Sequence, residues 1–364
     1  MAKVTRKGFD LEGAVRHDLR SFPPYQAMVS PGALPGDARA ANGEFIKLDG
    51  NENVYGCSPR VQAALATFSR YHIYPDADQR DLRAALATYT GLDAAHLIVG
   101  SGSDELIDLL FRLVLNAGDN VISASPTFGM YEVNTTLCGG KLLDVPRDAD
   151  YRVNPGAILE AITPQTKAII LACPNNPTGT PTPRRDIETL LEAGRLVIAD
   201  EAYFEFSGQT VADLVPAHEN LVVLRTFSKW AGLAGLRVGY GLMSPALVQR
   251  LMAIKPPYNV NVAANVAALE SLKDQPHLKH TVALLVKERE RLNAKLGEIA
   301  FLKPVPSVAN FILCRVIGRD ARQLQLGLRK KGIYIRYYRE LPEFVRISVG
   351  TPEHTDLLIQ SLKE

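Results

Sequence analysis

Apolar residues in the first two-thirds of the chain come in short, nearly continuous runs. Such runs are typical of strands buried on both faces, as in a parallel sheet. The predicted strands cover residues 97–99, 120–123, 167–172, 196–199 and 221–224. Residues with helical apolar spacing lie between them, and the predicted helices cover residues 58–68, 81–89, 104–115 and 184–191. This alternation predicts an α/β unit with a mostly parallel central sheet flanked by helices.

The pattern changes after about residue 262. Predicted helices cover residues 262–272, 276–296, 320–330 and 352–362, and predicted strands cover 310–314, 332–335 and 344–349. We therefore predict an N-terminal arm over residues 1–40, a large domain over 41–261 and a small α+β domain over 262–364 that includes part of the N-terminal segment. A short strand at 45–48 is expected to pack against the small domain or against a partner chain, and the sequence leaves both open.

Composition narrows the class of protein. The 364 residues carry a net charge of +2, which argues against a protein that mainly coats nucleic acid or an anionic membrane. No apolar run reaches the roughly 18 residues of a membrane span, and the N-terminus lacks the apolar region of a secretory signal. The four cysteines are scattered, so we expect a reduced, cytoplasmic protein with no disulfide framework and no metal site.

A glycine-rich turn follows the predicted strand at 97–99. Gly100-Ser-Gly-Ser103 leads directly into a helix from Asp104, and backbone N–H groups at a helix start can bind an anion. An ordinary turn with Ser103 or Asp104 as the helix cap explains the pattern equally well. The spacing is neither that of a Walker A loop nor G-x-G-x-x-G.

Polar residues also follow the predicted strands at 167–172 and 196–199. Asn175 and Asn176 follow the first strand, and Asp200 ends the second, three residues before Tyr203. Open α/β sheets bind ligands at the carboxyl ends of their strands. The asparagines could instead build a simple turn, and Asp200 could be a structural cap. A buried carboxylate at Asp200 would need a metal, a cation or a protonated ring nitrogen as partner.

Lys229 follows the predicted strand at 221–224, beside Ser228 and eight residues before Arg237. Most lysines are solvated on the surface. This lysine lies in an apolar, glycine-rich context, where desolvation would lower its pKa and make it a usable amine nucleophile.

These motifs resemble those of the fold-type-I pyridoxal-phosphate aminotransferases. The resemblance is carried by Pro-Asn-Asn-Pro-Thr-Gly (174–179), Asp-Glu-Ala-Tyr (200–203), and Ser228-Lys229 followed by Gly-x-Arg-x-Gly (235–239). Their order and spacing agree, and the resemblance extends from Tyr25 to residues 346–350. Segments 49–53, 126–131, 202–206 and 225–229 most resemble the histidinol-phosphate aminotransferases within that family.

The resemblance implies the cofactor and its ligands. Lys229 would form a Schiff base with pyridoxal 5′-phosphate and carry a proton, while Asp200 would pair with the pyridine nitrogen so that the ring acts as an electron sink. The other residues it assigns to the cofactor are Asn176 and Tyr203 at the phenolic oxygen, Phe128 against the ring, and Ser103, Asp104, Ser228 and Arg237 at the phosphate. Tyr74 matches a tyrosine that reaches the partner subunit's site, which implies a homodimer with shared active sites.

The resemblance also implies the substrate residues. Arg346 matches an arginine that binds an α-carboxylate, and Arg336 matches one that binds the phosphate of the substrate. Arg339 is close enough in sequence to compete for the second role. Residues expected to line the site are Tyr25 and, nearby, Glu52 and Asn53.

The chain departs from the family pattern at two positions. Val54 stands where proline is frequent, and Phe128 stands where tyrosine is frequent, so a hydroxyl is missing there. Neither change affects the expected reaction, which exchanges an amine between glutamate and imidazole acetol phosphate.

Three alternatives to this reaction remain. The first two are an aromatic-amino-acid aminotransferase and a threonine-phosphate decarboxylase. The third is a pyridoxal-phosphate-binding regulator without turnover. It would need a separate DNA-binding unit, and no basic helix-turn-helix pattern precedes the enzyme-sized fold. We therefore expect small-molecule substrates and neither a nucleic acid nor a membrane as partner.

Overall fold

The computed structural model describes residues 9–22, 27–28, 30–33, 37–40 and 42–364. Strands in this part of the chain form a seven-stranded and a five-stranded sheet. The strands are β1 (Ile46–Leu48), β2 (Leu97–Gly100), β3 (Asn120–Ser123), β4 (Lys141–Asp144), β5 (Thr166–Ala172), β6 (Leu196–Asp200), β7 (Leu221–Thr226), β8 (Gly239–Leu242), β9 (Leu302–Pro304), β10 (Phe311–Val316), β11 (Ile333–Tyr337) and β12 (Phe344–Ser348).

Helices form in all eight segments where the apolar spacing predicts them, and five more form elsewhere in the described chain. The helices are α1 (Leu11–Ala14), α2 (Pro59–Thr67), α3 (Arg80–Thr90), α4 (Ser103–Val114), α5 (Met130–Leu137), α6 (Pro155–Glu160), α7 (Arg184–Leu191), α8 (Phe204–Ser207), α9 (Pro245–Ile254), α10 (Val262–Lys273), α11 (Gln275–Gly297), α12 (Ala321–Lys330) and α13 (Pro352–Lys363). The five that the spacing does not predict are α1, α5, α6, α8 and α9. Short 3₁₀ turns cover His17–Leu19, Ala94–His96, Ala212–Ala217 and Ala234–Leu236. None of the helices in the described ranges combines the length and apolar character that crossing a lipid bilayer requires.

The seven-stranded sheet has the order β2-β8-β7-β6-β5-β3-β4. Strands β4, β3, β5, β6 and β7 pair in parallel, and β8 runs antiparallel to both of its neighbours. Alternate residues of β5 enter two separate cores, Ile169 and Leu171 on one face and Ile170 and Ala172 on the other. This double burial explains the continuous apolar runs, and it confirms the predicted mostly parallel α/β sheet.

The five-stranded sheet has the order β1-β11-β12-β10-β9. Strand β1 pairs in parallel with β11, with Ile46 opposite Ile333, so the strand at 45–48 packs against the small sheet of its own chain. The domain boundaries at residues 40 and 261 stay predictions. Strand β1, which they place in the large domain, belongs to the five-stranded sheet.

A buried ion pair joins the ends of two central strands. Glu201 follows β6 and lies 2.9 Å from the guanidinium of Arg225 on β7, and both side chains are almost fully buried. The carboxylate also accepts hydrogen bonds from the Val211 N–H at 2.7 Å and the Thr210 hydroxyl at 2.8 Å. Arg225 lies over the ring of Phe204 at 3.6 Å. The pair therefore anchors the chain immediately after Asp200.

We predict that Arg225→Met lowers the free energy of unfolding by about 3–5 kcal/mol, because it leaves the Glu201 carboxylate buried without a counter-charge. Urea unfolding followed by circular dichroism measures the change. Arg315→Met is the matched control, since the ion pair between Arg315 and Glu343 is exposed on both sides and is expected to contribute about 1 kcal/mol or less. Equal losses in the two variants would contradict the structural importance of the buried pair.

Candidate active site

The predicted site residues lie at the carboxyl ends of the central strands. Asp200 is the last residue of β6, and Lys229 lies in the loop that follows β7. The glycine-rich turn follows β2, and Asn176 lies in the loop after β5. Because these strands are parallel, their ends meet at one edge of the sheet, where ligands bind in open α/β folds.

Asp200 is buried and carries no ion pair with any lysine or arginine of the described residues. Its carboxylate accepts hydrogen bonds from the Tyr131 hydroxyl at 2.8 Å and from the Ala202 N–H at 3.2 Å. Burial raises the pKa of Asp200 to about 6, and the Tyr131 hydrogen bond opposes that shift. A buried carboxylate with no cation from its own chain suits a cationic ligand group such as a protonated ring nitrogen.

Lys229 has the environment expected from the sequence. Its Nζ donates a hydrogen bond to the Gly50 carbonyl oxygen at 3.1 Å. Burial lowers the pKa of Lys229 to about 8, and the positive charges of Arg346 and Arg237 lower it further, against Glu52 and Asp104. A substantial fraction of Lys229 is therefore neutral near physiological pH, as a nucleophilic amine requires.

The glycine-rich turn leaves backbone N–H groups at the start of α4. Helix α4 begins at Ser103 after Gly102, whose φ is +82° and which provides no side-chain cap. A Cβ on Gly102 would lie 2.6 Å from Arg237 Nη2, and one on Gly239 would lie 2.5 Å from the Ser103 nitrogen. Position 102 needs glycine because of its positive φ, and position 239 because the backbone of the turn lies this close to β8. The turn thus fits an anionic group such as a cofactor phosphate.

Two of the predicted phosphate ligands, Arg237 and Asp104, form an ion pair at 2.8 Å, with both side chains partly exposed. Ser228 is buried nearby, where its hydroxyl accepts a hydrogen bond from the Thr226 hydroxyl at 2.9 Å. Thr226 lies opposite Gly239 in the β7–β8 pair, which brings Ser228 towards Ser103. The structure therefore brings Ser103, Asp104, Ser228 and Arg237 together.

Arg346 on β12 connects the small sheet to the loop after β5. Its Nη1 donates to the Asn176 side-chain oxygen and its Nη2 to the Asp49 carbonyl oxygen, both at 2.6 Å. Its buried Nε has no hydrogen-bond partner among the described residues. The guanidinium thus lies at the edge of the site with an unused donor.

Arg336 lies directly opposite Arg346 in the antiparallel pair of β11 and β12. Residues opposite each other in such a pair project from the same face of the sheet. Both guanidinium groups lie over the ring of Tyr338, at 5.3 Å for Arg336 and 5.7 Å for Arg346. Arg339 is exposed and lies beyond the end of β11. Two like charges at one tyrosine favour an anionic ligand between or beside them.

Tyr203 is buried, and its hydroxyl accepts a hydrogen bond from the Asn51 side chain at 3.0 Å. Burial raises the pKa of Tyr203, so the hydroxyl keeps its proton and can also donate. Asn51 has a φ of +53° and is held in that conformation by Ser348, which receives its N–H at 2.8 Å and donates to its side-chain oxygen at 2.9 Å. Asn53 donates to the Trp230 carbonyl at 2.9 Å. Segment 49–53 therefore lines the site beside Lys229.

Sequence reasoning missed Asn51, Tyr131 and Tyr338. The first two lie inside segments 49–53 and 126–131, whose motifs carried the family resemblance, so a signal was available for them. Tyr338 lies in no recognised motif. The structure also places Glu52 in an ion pair with Lys47, at the rim of the site.

Three further predicted residues lie at the margins. Phe128 packs edge-to-face on Tyr131, with ring centroids 5.6 Å apart, next to Asp200. Tyr74 is 77% exposed and stacks on Tyr258 at 4.5 Å, and none of its described contacts reaches Lys229 or Asp200. Tyr25 lies outside the described residues. No group of three or more metal-ligating side chains occurs in the described ranges.

We predict that Lys229→Met stabilises the cofactor-free protein at pH 7 by up to about 3 kcal/mol. The pKa of this lysine falls from 10.5 to about 8 on folding, so the folded state resists the charged form most strongly below pH 8. The gain should fade as the pH rises from 8 to 10.5. Urea unfolding at pH 7 and pH 9.5 measures it, with the exposed Lys330→Met as control. A gain that is independent of pH would contradict burial of the charge.

Known families and relatives agree with this geometry. The family model for aminotransferase class I and II matches residues 43–362. A histidinol-phosphate aminotransferase of Dehalococcoides mccartyi is 47% identical over 358 residues, covering 98% of this chain and 99% of the relative. A chloroplastic histidinol-phosphate aminotransferase of Nicotiana tabacum is 45% identical over 354 residues, covering 96% of this chain and 86% of the relative.

Solved structures extend the similarity to the fold. Histidinol-phosphate aminotransferase from Sinorhizobium meliloti, in complex with pyridoxal-5′-phosphate, superposes with a TM-score of 0.86 at 28% identity over 96% of both chains. L-threonine-O-3-phosphate decarboxylase from Porphyromonas gingivalis shares the fold, with a TM-score of 0.78 at 23% identity over 87% of this chain and 98% of that one. The chain therefore belongs to the class I and II aminotransferases, in the branch of the histidinol-phosphate aminotransferases.

Proposed function

We propose that this chain is a pyridoxal-phosphate-dependent histidinol-phosphate aminotransferase of histidine biosynthesis. It exchanges an amine between glutamate and imidazole acetol phosphate, giving 2-oxoglutarate and histidinol phosphate. The main structural support for this choice of substrate is that the guanidinium groups of Arg336 and Arg346 both lie over the ring of Tyr338. Glutamate carries two carboxylates and the other substrate carries a phosphate, so each needs fixed cations.

Two residues of different charge, Asp200 and Lys229, define the proposed cofactor site. Bound pyridoxal phosphate supplies an electron sink for the negative charge that develops when the substrate loses its Cα proton. Asp200 keeps a proton on the ring nitrogen, because its buried carboxylate has no other cationic partner in the described chain. Lys229 would hold the cofactor through its amine and would carry the proton that the substrate loses at Cα. Its pKa of about 8 lets it accept and return that proton.

The remaining cofactor residues are proposed to bind the phosphate or to orient the ring. The N–H groups of Ser103 and Asp104 would hold the phosphate together with Ser228 and with Arg237, which forms an ion pair with Asp104 at 2.8 Å. The side chains that orient the ring itself are Asn176 and Tyr203, at the phenolic oxygen, and Phe128, against its face. The orientation of Asn176 is supported by its hydrogen bond from Arg346.

Arg346 and Arg336 divide the substrate between them. Arg346 binds the α-carboxylate of glutamate, using the Nε that is buried and has no partner among the described residues. Arg336 binds the phosphate of histidinol phosphate and the distal carboxylate of glutamate. The far end of an aromatic amino acid needs no cation, whereas the phosphate of histidinol phosphate does, so the two substrates differ in their need for Arg336. Tyr25, Glu52 and Asn53 are proposed to line the same pocket.

We also propose a homodimer in which Tyr74 completes the partner's site. Tyr74 is highly exposed although it is a large aromatic residue, the exposed Ile73 precedes it in the chain, and the exposed Tyr258 stacks on it. Apolar side chains gathered in this way favour a protein interface. A cytoplasmic location is supported by the four free cysteines.

We predict that Arg336→Ala raises the KM for histidinol phosphate roughly ten- to a hundredfold. Removing a charge-assisted contact costs about 1.5–3 kcal/mol, and each 1.4 kcal/mol is a factor of about ten. Steady-state kinetics with histidinol phosphate, phenylalanine and threonine phosphate measures the effect. Any turnover of phenylalanine should change much less, while the KM for glutamate is also expected to rise.

Arg339→Ala is the matched comparison, because Arg339 is the exposed arginine that could compete for the phosphate. A larger penalty from Arg339→Ala would transfer the role to that residue. If the wild type prefers phenylalanine, and Arg336→Ala penalises both amino donors equally, the aromatic aminotransferase should replace the present proposal. Carbon dioxide release from threonine phosphate would favour the decarboxylase.

We predict that mixed dimers of Tyr74→Phe and Lys229→Ala subunits recover activity that neither parent has at limiting cofactor. One site of such a dimer carries both substitutions, and the other carries neither. Subunits with different affinity tags allow the mixed dimers to be isolated and assayed. Isolated mixed dimers no more active than the parents would show that Tyr74 does not act across the interface.

A further inference from the structure

A polar network lies behind the glycine-rich turn, outside the residues assigned to cofactor or substrate. Glu105, in the first turn of α4, accepts a hydrogen bond from the Ser101 N–H at 2.6 Å. The same carboxylate oxygen accepts one from the Asn259 amide at 2.6 Å. Asn259 also donates to the Val99 carbonyl oxygen at 3.3 Å. These bonds fix the backbone directly before Ser103, and the N–H groups of Ser103 and Asp104 depend on that backbone for their direction.

The other end of the Asn259 amide points to a different segment. Its oxygen accepts hydrogen bonds from the Gln79 side chain at 2.8 Å and from Lys255 Nζ at 2.9 Å. Lys255 is only 6% exposed and also donates to the Ala77 carbonyl oxygen at 3.2 Å. Donors on one side and the Glu105 acceptor on the other leave a single orientation for the amide. The Asn259 amide thus lies between the positively charged Lys255 and the negatively charged Glu105 and bonds to both.

Residues 77–79 continue the segment that carries Tyr74. Gln79 is buried and has a φ of +46°, a conformation that a residue with a side chain keeps only when its surroundings hold it there. Tyr258, the neighbour of Asn259, stacks on Tyr74 with the two rings 19° apart. The Tyr258–Asn259 dipeptide therefore contacts both the Tyr74 segment and the support of the glycine-rich turn.

We propose that Asn259 is a positioning residue that links the two active sites of the dimer. Through Glu105 it fixes the phosphate-binding turn of its own subunit, and through Gln79 it fixes the segment that presents Tyr74 to the partner. This inference rests on the proposed dimer and on the proposed role of Tyr74. One side chain then sets phosphate binding at both sites.

Mixed dimers separate the two effects of Asn259→Leu. In the first dimer, an Asn259→Leu subunit is paired with a Lys229→Ala subunit, so the only Lys229 lies in the subunit with the altered turn. In the second, an Asn259→Leu/Lys229→Ala subunit is paired with a wild-type subunit, so the only Lys229 has an intact turn and receives Tyr74 from the altered subunit. The reference pairs wild type with Lys229→Ala.

Borohydride reduction at increasing pyridoxal phosphate concentrations traps cofactor only at Lys229, so it reads one site in each dimer. We expect the half-saturating concentration to rise about tenfold in both test dimers, as for the loss of a buried hydrogen bond. A rise in the first dimer alone would limit Asn259 to its own turn and overturn the link. No rise in either would remove Asn259 from phosphate binding altogether.

Gln79→Met provides the second variant, and it also serves if Asn259→Leu does not fold. It breaks the contact to the Tyr74 segment and leaves the Glu105 contact, so only the second arrangement should lose affinity. An equal loss in both arrangements would contradict the proposed division. Gln323→Leu is the matched control, an exposed amide on α12 whose loss should change neither arrangement.

Failure of the proposed function gives a different result from failure of the link. A reference dimer that traps no cofactor at Lys229, or subunits that form no mixed dimers, would contradict the proposed enzyme or its dimer. The proposed link between the two active sites would then be wrong as well. Normal trapping in the reference and unchanged trapping in the test dimers would overturn the link alone.

Discussion

The carboxylate of Asp200 lies in the protein interior with hydrogen bonds from Tyr131 and Ala202 but no cation from the described chain. An unpaired buried charge is unfavourable, and here the raised pKa records that penalty. The rest of the site is arranged around this negative charge. The next residue, Glu201, is buried as well, but it has Arg225 as its counter-charge at 2.9 Å. At Asp200 the neutralising charge is left for the ligand to bring.

Other residues of the site carry positive charge. Arg336 lies opposite Arg346 in the β11–β12 pair, and the positive charges of Arg346 and Arg237 contribute to the lowered pKa of Lys229. An anionic group bound beside Arg346 would offset this positive charge.

The sequence predicts the parts of the fold that depend on local pattern. Strands β5, β6 and β7 follow from continuous burial, and α7 begins and ends where its apolar spacing indicates. Asp200 and Lys229 are identifiable because they come directly after such strands. Strand β8 cannot be identified in this way. Its sequence, Gly-Tyr-Gly-Leu, has two glycines and no continuous apolar run.

Contacts between segments that are far apart in the sequence cannot be predicted from local pattern. The bond between Asn51 and Tyr203 joins residues 152 positions apart, and either residue alone suggests an ordinary polar side chain. Tyr338 gains its importance only from the register that places Arg336 opposite Arg346. Tyr74 is a further case, because its proposed ligand belongs to another chain.

The pairing of β1 with β11 has a consequence for synthesis of the protein. Ile46 is synthesised 287 residues (333 − 46) before its partner Ile333. Contacts between such distant segments form slowly, because a long loop must be closed first. Segment 49–53, which supplies Gly50 and Asn51 to the site, follows β1 directly and must wait with it. A nascent chain therefore carries all strands of the parallel sheet before β11 is made and segment 49–53 can take its place in the site.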